Sequence, residues 1–117
     1  MKKELLESSN WELLLWLLRK RKRFRVTGNS MLPLLQPGEE ILVNLSAYQK
    51  SFPEVGDIVV ANHPNRPNFQ IVKRVTLVNE DGNCFLIGDN PTESTDSRSF
   101  GTVNPNKILG KVTSRFI

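Results

Sequence analysis

The apolar positions change period once along this chain. Residues 1 to 20 hold a dense apolar cluster, Trp11-Glu12-Leu13-Leu14-Leu15-Trp16-Leu17-Leu18, preceded by Ser8, Ser9 and Asn10 as candidate N-caps, a pattern that predicts helix. From Phe24 onward the apolar residues fall in short runs instead: Phe24–Thr27, Glu40–Leu45, Asp57–Ala61, Phe69–Val78, Cys84–Ile87 and Ile108–Phe116. Turn residues divide them: Pro37-Gly38, Pro53 with Gly56-Asp57, His63-Pro64-Asn65-Arg66-Pro67, Asp81-Gly82-Asn83 and Asn104-Pro105. Short runs punctuated in this way predict strands. The expected fold class is therefore mainly β. It is a compact antiparallel β domain over 24–117, with an N-terminal amphipathic and basic helix over 1–23 and no repeats.

A chain of 117 residues suits one domain with a modest core. Its net charge of +4, from 16 Lys and Arg against 12 Asp and Glu, is concentrated in Arg19-Lys20-Arg21-Lys22-Arg23, with Arg25 close by. Such a block is either a solvated helix end or a surface for an anionic partner. The uninterrupted apolar run Leu13–Leu18 is far shorter than the ~20 residues that cross a bilayer. No small-residue cleavage site follows it, and the cations come after it rather than before, so it is a poor secretory signal. The expectation is a helix that packs on the domain or a partner, or one that makes peripheral membrane contact through residues 11–25. The expected location is cytoplasmic, or alternatively peripheral at the membrane surface. Cys84 is the only cysteine and His63 the only histidine, too few for a structural zinc site, so no metal and no cofactor are expected.

The chemistry-bearing stretch is Gly28-Asn29-Ser30-Met31-Leu32-Pro33. A serine hydroxyl is a weak nucleophile at neutral pH and needs a neighbouring base. Lysine serves as that base if burial disfavours its ammonium form. In Gln70-Ile71-Val72-Lys73-Arg74-Val75 the period of two places Lys73 on the apolar face with Ile71 and Val75, and sends Arg74 the other way. An inward lysine with no role would be costly. Gly28 lets the backbone bend beside the reacting carbonyl, Pro33 stiffens the loop exit, and the Ser30 amide is a candidate oxyanion donor.

Four segments carry a family resemblance. Ser30-Met31-Leu32-Pro33, Gly56-Asp57-Ile58-Val59-Val60, Val72-Lys73-Arg74-Val75, and Gly88-Asp89-Asn90 through Ser94-Thr95-Asp96-Ser97-Arg98 to Gly101 occur in one order. Together they resemble the boxes of the type I signal peptidase family of serine/lysine endopeptidases. The resemblance covers about residues 25 to 112. It implies Ser30 as the acylated nucleophile and Lys73 as its general base, with Ser94 orienting the lysine amine. It further implies an Asp96–Arg98 ion pair bracing the last loop, supported by Ser97 and Asp89. Two positions depart from the pattern: Leu34 stands where the family has threonine, and Gly28 where a hydroxyl residue is often found, leaving no side-chain oxyanion donor there. No large domain is inserted between Lys73 and the last box. With the His63–Pro67 turn, this is similar to the maturation peptidases of nickel-type superoxide dismutase, which implies a nickel superoxide dismutase precursor as protein substrate, trimmed at its N-terminal propeptide. The nickel would belong to that substrate.

The leading expectation is thus a serine endopeptidase with a Ser/Lys dyad, a hydrolase for propeptide processing, that binds its substrate as an added strand. The alternatives are general signal peptidase-like processing, a self-cleaving repressor-like peptidase, and a non-catalytic module held to membrane or nucleic acid by its basic helix. For the peptidase, no nucleic-acid partner is expected.

Overall fold

The computed structural model describes Leu5 and residues 7–116. One six-stranded sheet forms the body, in the order β1-β2-β6-β3-β4-β5. Its strands are β1 (Lys22–Arg25), β2 (Glu40–Asn44), β3 (Ile58–Asn62), β4 (Gln70–Val78), β5 (Cys84–Ile87) and β6 (Ile108–Arg115), and every neighbouring pair is antiparallel. The expected fold class holds. All six predicted strands form, with ends displaced by at most a few residues.

Apolar side chains cover both faces of this sheet. Ile58 and Val60 of β3 join Val26, Met31, Leu35, Ile41 and Val43 on one face. Val59 and Ala61 join Ile71, Val75, Cys84 and Leu86 on the other. That two-sided burial is why β3 reads as an unbroken apolar run rather than an alternating one. β6 sits between β2 and β3, so the two halves of the sheet are joined only through a strand from the far end of the chain.

The helix expected over 1–23 is shorter. Of it, residues 1–4 and 6 lie outside the described residues, and α1 spans Asn10–Leu17. Ser9 caps it, accepting from the Glu12 amide at 3.2 Å. Its end is a reversal at Arg19, whose φ of +61° is left-handed. The Arg19 amide donates to the Trp16 carbonyl and the Lys20 amide to the Leu15 carbonyl, at 3.0 and 2.7 Å, a Schellman closure.

The basic block is consequently divided, Arg19 and Lys20 closing the helix and Lys22 onward lying in a strand. Lys22–Arg25 form an edge strand, because Phe24 packs inward against the core while Arg23 and Arg25 pair with Glu40 on the neighbouring strand. α1 lies on the surface of the sheet through one side only. Trp16 stacks edge-on against Phe116 at 4.9 Å, and Glu12 accepts from Arg21 and Thr113. Its other side, Trp11, Leu14, Leu17 and Leu18, faces outward. Among the described residues, no helix is long and apolar enough to cross a membrane.

Candidate active site

Lys73 enters the site from β4. It is in register with Val59, and Ile71 with Ala61, so the lysine stem lies on the apolar face that its alternation predicted. Only 4% of Lys73 is exposed. Its Nζ donates to Ser94 Oγ at 3.1 Å, and Ser94 Oγ donates to Asp96 Oδ2 at 2.7 Å. Burial pushes the lysine pKa down from 10.5; the Asp96 charge pulls it up, and Arg98 pushes it down again.

Asp96 is fully buried and anchors the whole turn. It accepts from the Gly88 amide at 3.0 Å and from the Arg98 amide at 3.1 Å, capping the short helix α2 (Ser97–Phe100). Arg98 Nε and Nη2 reach its two oxygens at 2.9 and 3.0 Å, and Nη2 also donates to the Pro91 carbonyl. Burial alone would raise the Asp96 pKa; the hydrogen bonds from Arg98, Ser94 and the Gly88 amide outweigh it and bring the pKa down to about 2. Ser97 Oγ accepts from the Leu86 amide at 2.8 Å, tying the start of α2 to β5.

Ser30 is half-buried at the turn after β1. Gly28 has φ of +75°, a conformation that glycine adopts freely, which lets the chain swing from β1 into this turn. Two contacts fix the turn against the last loop. The Asn90 amide donates to the Ser30 carbonyl at 2.8 Å, and Asn90 Nδ2 donates to the Asn29 carbonyl at 3.0 Å. Gly88 makes the approach possible, since a Cβ there would fall well inside contact distance of both Ser94 Oγ and the Ser30 carbonyl oxygen.

Ser30 and Lys73 line one groove of about 450 Å³. One wall is Phe24 to Thr27; the other is the β3–β4 hairpin, with His63, Phe69 and β4 residues 70 to 73. β5 pairs with β4 only from Arg74 onward, so β4 residues 70 to 73 have no β5 partner on that side. A free strand edge thus runs along the groove beside the serine turn.

Asp89 stands apart from this hydrogen-bond chain. It takes Arg74 bidentately, Nε to Oδ1 and Nη2 to Oδ2 both at 2.9 Å, with each side chain 5% exposed. Arg74 Nη1 also donates to the Gly56 carbonyl at 3.1 Å. The arginine that alternation sends away from Lys73 is therefore buried too, and it joins the Gly56-Asp57 turn, β4 and the Gly88–Asn90 segment. On the same turn, buried Asp57 accepts from Tyr48 Oη at 2.8 Å and from the Glu54 amide at 3.0 Å.

Lys73, Ser94, Asp96 and Arg98 lie in one hydrogen-bonded chain, and Ser30 lines the same groove as Lys73. Gly88 and Asn90 were visible in the sequence as part of a motif, but their contacts to the serine turn were not. Asn90 contacts residues about sixty positions away, and no local pattern encodes such a contact. Arg66, Phe69 and His63 as a groove wall were likewise unread.

The family model for signal peptidase, peptidase S26, matches residues 13–78 and 76–117. The mitochondrial ATP-independent inner membrane protease subunit 1b of Arabidopsis thaliana is 35% identical over 112 aligned positions, covering 75% of this chain and 65% of the relative. The mitochondrial inner membrane protease subunit 1 of Xenopus tropicalis is 34% identical over 109, covering 76% and 65%. Signal peptidase IB of Staphylococcus aureus is 27% identical over 147, covering 80% and 76%. The chain thus spans about 65% of the length of the two mitochondrial relatives. With the matched segments covering most of the sheet and the groove, the chain belongs to the signal peptidase, peptidase S26 family of serine peptidases.

Proposed function

We propose that this chain is an endopeptidase in which Ser30 and Lys73 form a catalytic dyad and which removes an N-terminal propeptide or signal-like peptide. The observation that carries the reading is the hydrogen-bond chain from Lys73 Nζ through Ser94 to Asp96, set beside Ser30 in a groove with a free strand edge. A substrate strand lies along β4 residues 70 to 73, its backbone satisfying the open edge. Ser30 Oγ attacks the scissile carbonyl carbon while neutral Lys73 takes the hydroxyl proton. The Ser30 amide donates to the oxyanion, backbone being the available donor because position 28 is glycine. The lysine ammonium then returns its proton to the departing amine, leaving an ester on Ser30. Lys73, neutral again, takes a proton from water as the water attacks the ester, then gives it to Ser30 Oγ as the acyl C–O bond breaks, which releases the acid product and restores both residues. Ser94 accepts one amine hydrogen and so aims the lysine lone pair, while Asp96 and Arg98 hold Ser94 in place.

For the substrate, we propose a nickel-type superoxide dismutase precursor acting in the cytoplasm. The support is the sequence resemblance to that maturation group, carried by the His63–Pro67 turn before the lysine strand and the absence of an inserted domain before the last box. The test is intact-mass analysis of such a precursor co-expressed with the wild-type chain, Ser30→Ala or Lys73→Ala. Shortening to a histidine N-terminus with wild type alone is expected. An uncut precursor beside folded wild-type protein would remove the substrate assignment.

A second reading places the peptidase on signal-like peptides at a membrane surface. It draws on the outward apolar stripe Trp11, Leu14, Leu17 and Leu18 and the adjoining Arg19, Lys20 and Lys22. Co-sedimentation with anionic vesicles, lost in a Trp11→Ser/Leu17→Ser variant, is its expected signature.

A further inference from the structure

The groove beside Ser30 is lined by Arg25, Arg66, His63 and Lys73 and by no Asp or Glu. A peptide lying in it meets the Arg25 and Arg66 guanidinium groups and, among the described residues, no carboxylate. Arg25 is partly answered by Glu40 at 3.4 Å. Arg66 is exposed, and among the described residues it makes no ion pair.

Arg66 is nonetheless held in place. It sits in the hairpin loop between β3 and β4, closed by the His63 amide donating to the Phe69 carbonyl at 2.7 Å. Pro64 and Pro67 fix two φ angles of that loop, and Asn68 takes a left-handed φ of +59°. The Asn65 amide donates to His63 Nδ1 at 3.0 Å. The returning loop lays the Arg66 guanidinium over the Phe69 ring at 4.1 Å, and His63 packs, tilted by 59° to each, between the Phe69 and Phe100 rings. No hydrogen bond from the Arg66 guanidinium is found among the described residues, so its fork of N–H donors can take a carboxylate.

We propose that Arg66 is a specificity residue that selects a peptide bearing an Asp or Glu side chain a few residues from the scissile bond. The inference rests on the peptidase reading above and names its substrate class. The same guanidinium groups disfavour Lys or Arg at that subsite through like-charge repulsion.

The test uses a synthetic peptide mixture with all residues equally represented around a central segment. Wild-type chain, Arg66→Gln and Arg66→Glu are incubated with it, and cleavage sites are read by mass spectrometry. Acidic residues are expected to be enriched at one flanking position with wild type, by about 1.5- to 5-fold for an exposed pair, less so at high salt. The enrichment vanishes in Arg66→Gln and turns toward Lys and Arg in Arg66→Glu. A wild-type profile with no acidic preference, or one that survives charge reversal, overturns the proposal. Ser30→Ala is immobilised in parallel and the retained peptides are sequenced. Acidic peptides held by Ser30→Ala but not by Ser30→Ala/Arg66→Glu support the assignment even if no peptide is cut, in which case only the peptidase reading fails. Equal retention of acidic and neutral peptides overturns the Arg66 role.

Discussion

Lys73 Nζ donates to Ser94 Oγ at 3.1 Å, joining β4 to the loop that follows β5. The relationship leaves the lysine buried with one aimed contact and no direct carboxylate partner in that bond. Its neutral form is therefore favoured relative to a free lysine, by burial first and by the Arg98 charge as well, against the pull of Asp96.

Activity is expected to rise with pH through the Lys73 pKa, because only the uncharged amine accepts the Ser30 proton. Since that pKa is lowered from 10.5, the ascending limb of kcat/KM lies below 10.5. Arg98→Ala removes a neighbouring cation and leaves the Asp96 charge less answered, both of which raise the lysine pKa, so the limb moves to higher pH. A limb that stays put in Arg98→Ala would contradict this coupling.

Lys73→Met is expected to abolish cleavage, by on the order of 10³-fold or more, while leaving the fold as stable as wild type or more so. The sign follows from linkage. Between the lowered folded pKa and 10.5 the unfolded chain binds more protons, so wild-type stability increases with pH across that window. Methionine has no proton to bind. The stability difference between Lys73→Met and wild type, read from urea titrations, should therefore narrow as pH rises toward 10.5.

Asp96→Asn is expected to destabilise the chain by about 2 kcal/mol at neutral pH, from a pKa brought down to about 2 from 3.8. A depressed carboxylate contributes its stability above its unfolded pKa and loses it as pH falls through the folded one. The Tm gap between wild type and Asp96→Asn should close as pH falls from about 4 to about 2.

Gly88→Ala places a methyl group against Ser94 Oγ and the Ser30 carbonyl. A cost of about 1–3 kcal/mol is expected from overpacking, with a larger loss of activity than of stability because both contacted groups belong to the site. Comparing urea midpoints with kcat/KM separates the two.

Arg74→Ala leaves Asp89 buried without its guanidinium, and a loss of about 3–5 kcal/mol is expected for breaking a buried pair from one side. An Arg74→Leu/Asp89→Leu double variant should recover part of that loss. Equal destabilisation of the single and double variants would show that the pair acts through something other than burial of charge.

Much of this architecture is local and so was legible in the chain. The six strands announce themselves by apolar runs between turn residues, and the inward placement of Lys73 follows from a period of two with Ile71 and Val75. The order of four motifs was sufficient to place the family. The basic block was legible as a helix end or a surface for an anionic partner, but its division was not: the left-handed turn at Arg19 ends the helix, and the packing of Phe24 sets the residues after it in an edge strand. What the sequence by itself determined was the set of elements and the face on which Lys73 lies. Only the tertiary structure decided that Asn90 grips the Ser30 turn, that Arg74 is buried on Asp89, that β4 has a free edge at residues 70 to 73, and that Arg66 overhangs the groove. Periodicity reports how a residue faces relative to its near neighbours. Which distant segment meets that face is set by strand order and register, which no local pattern contains.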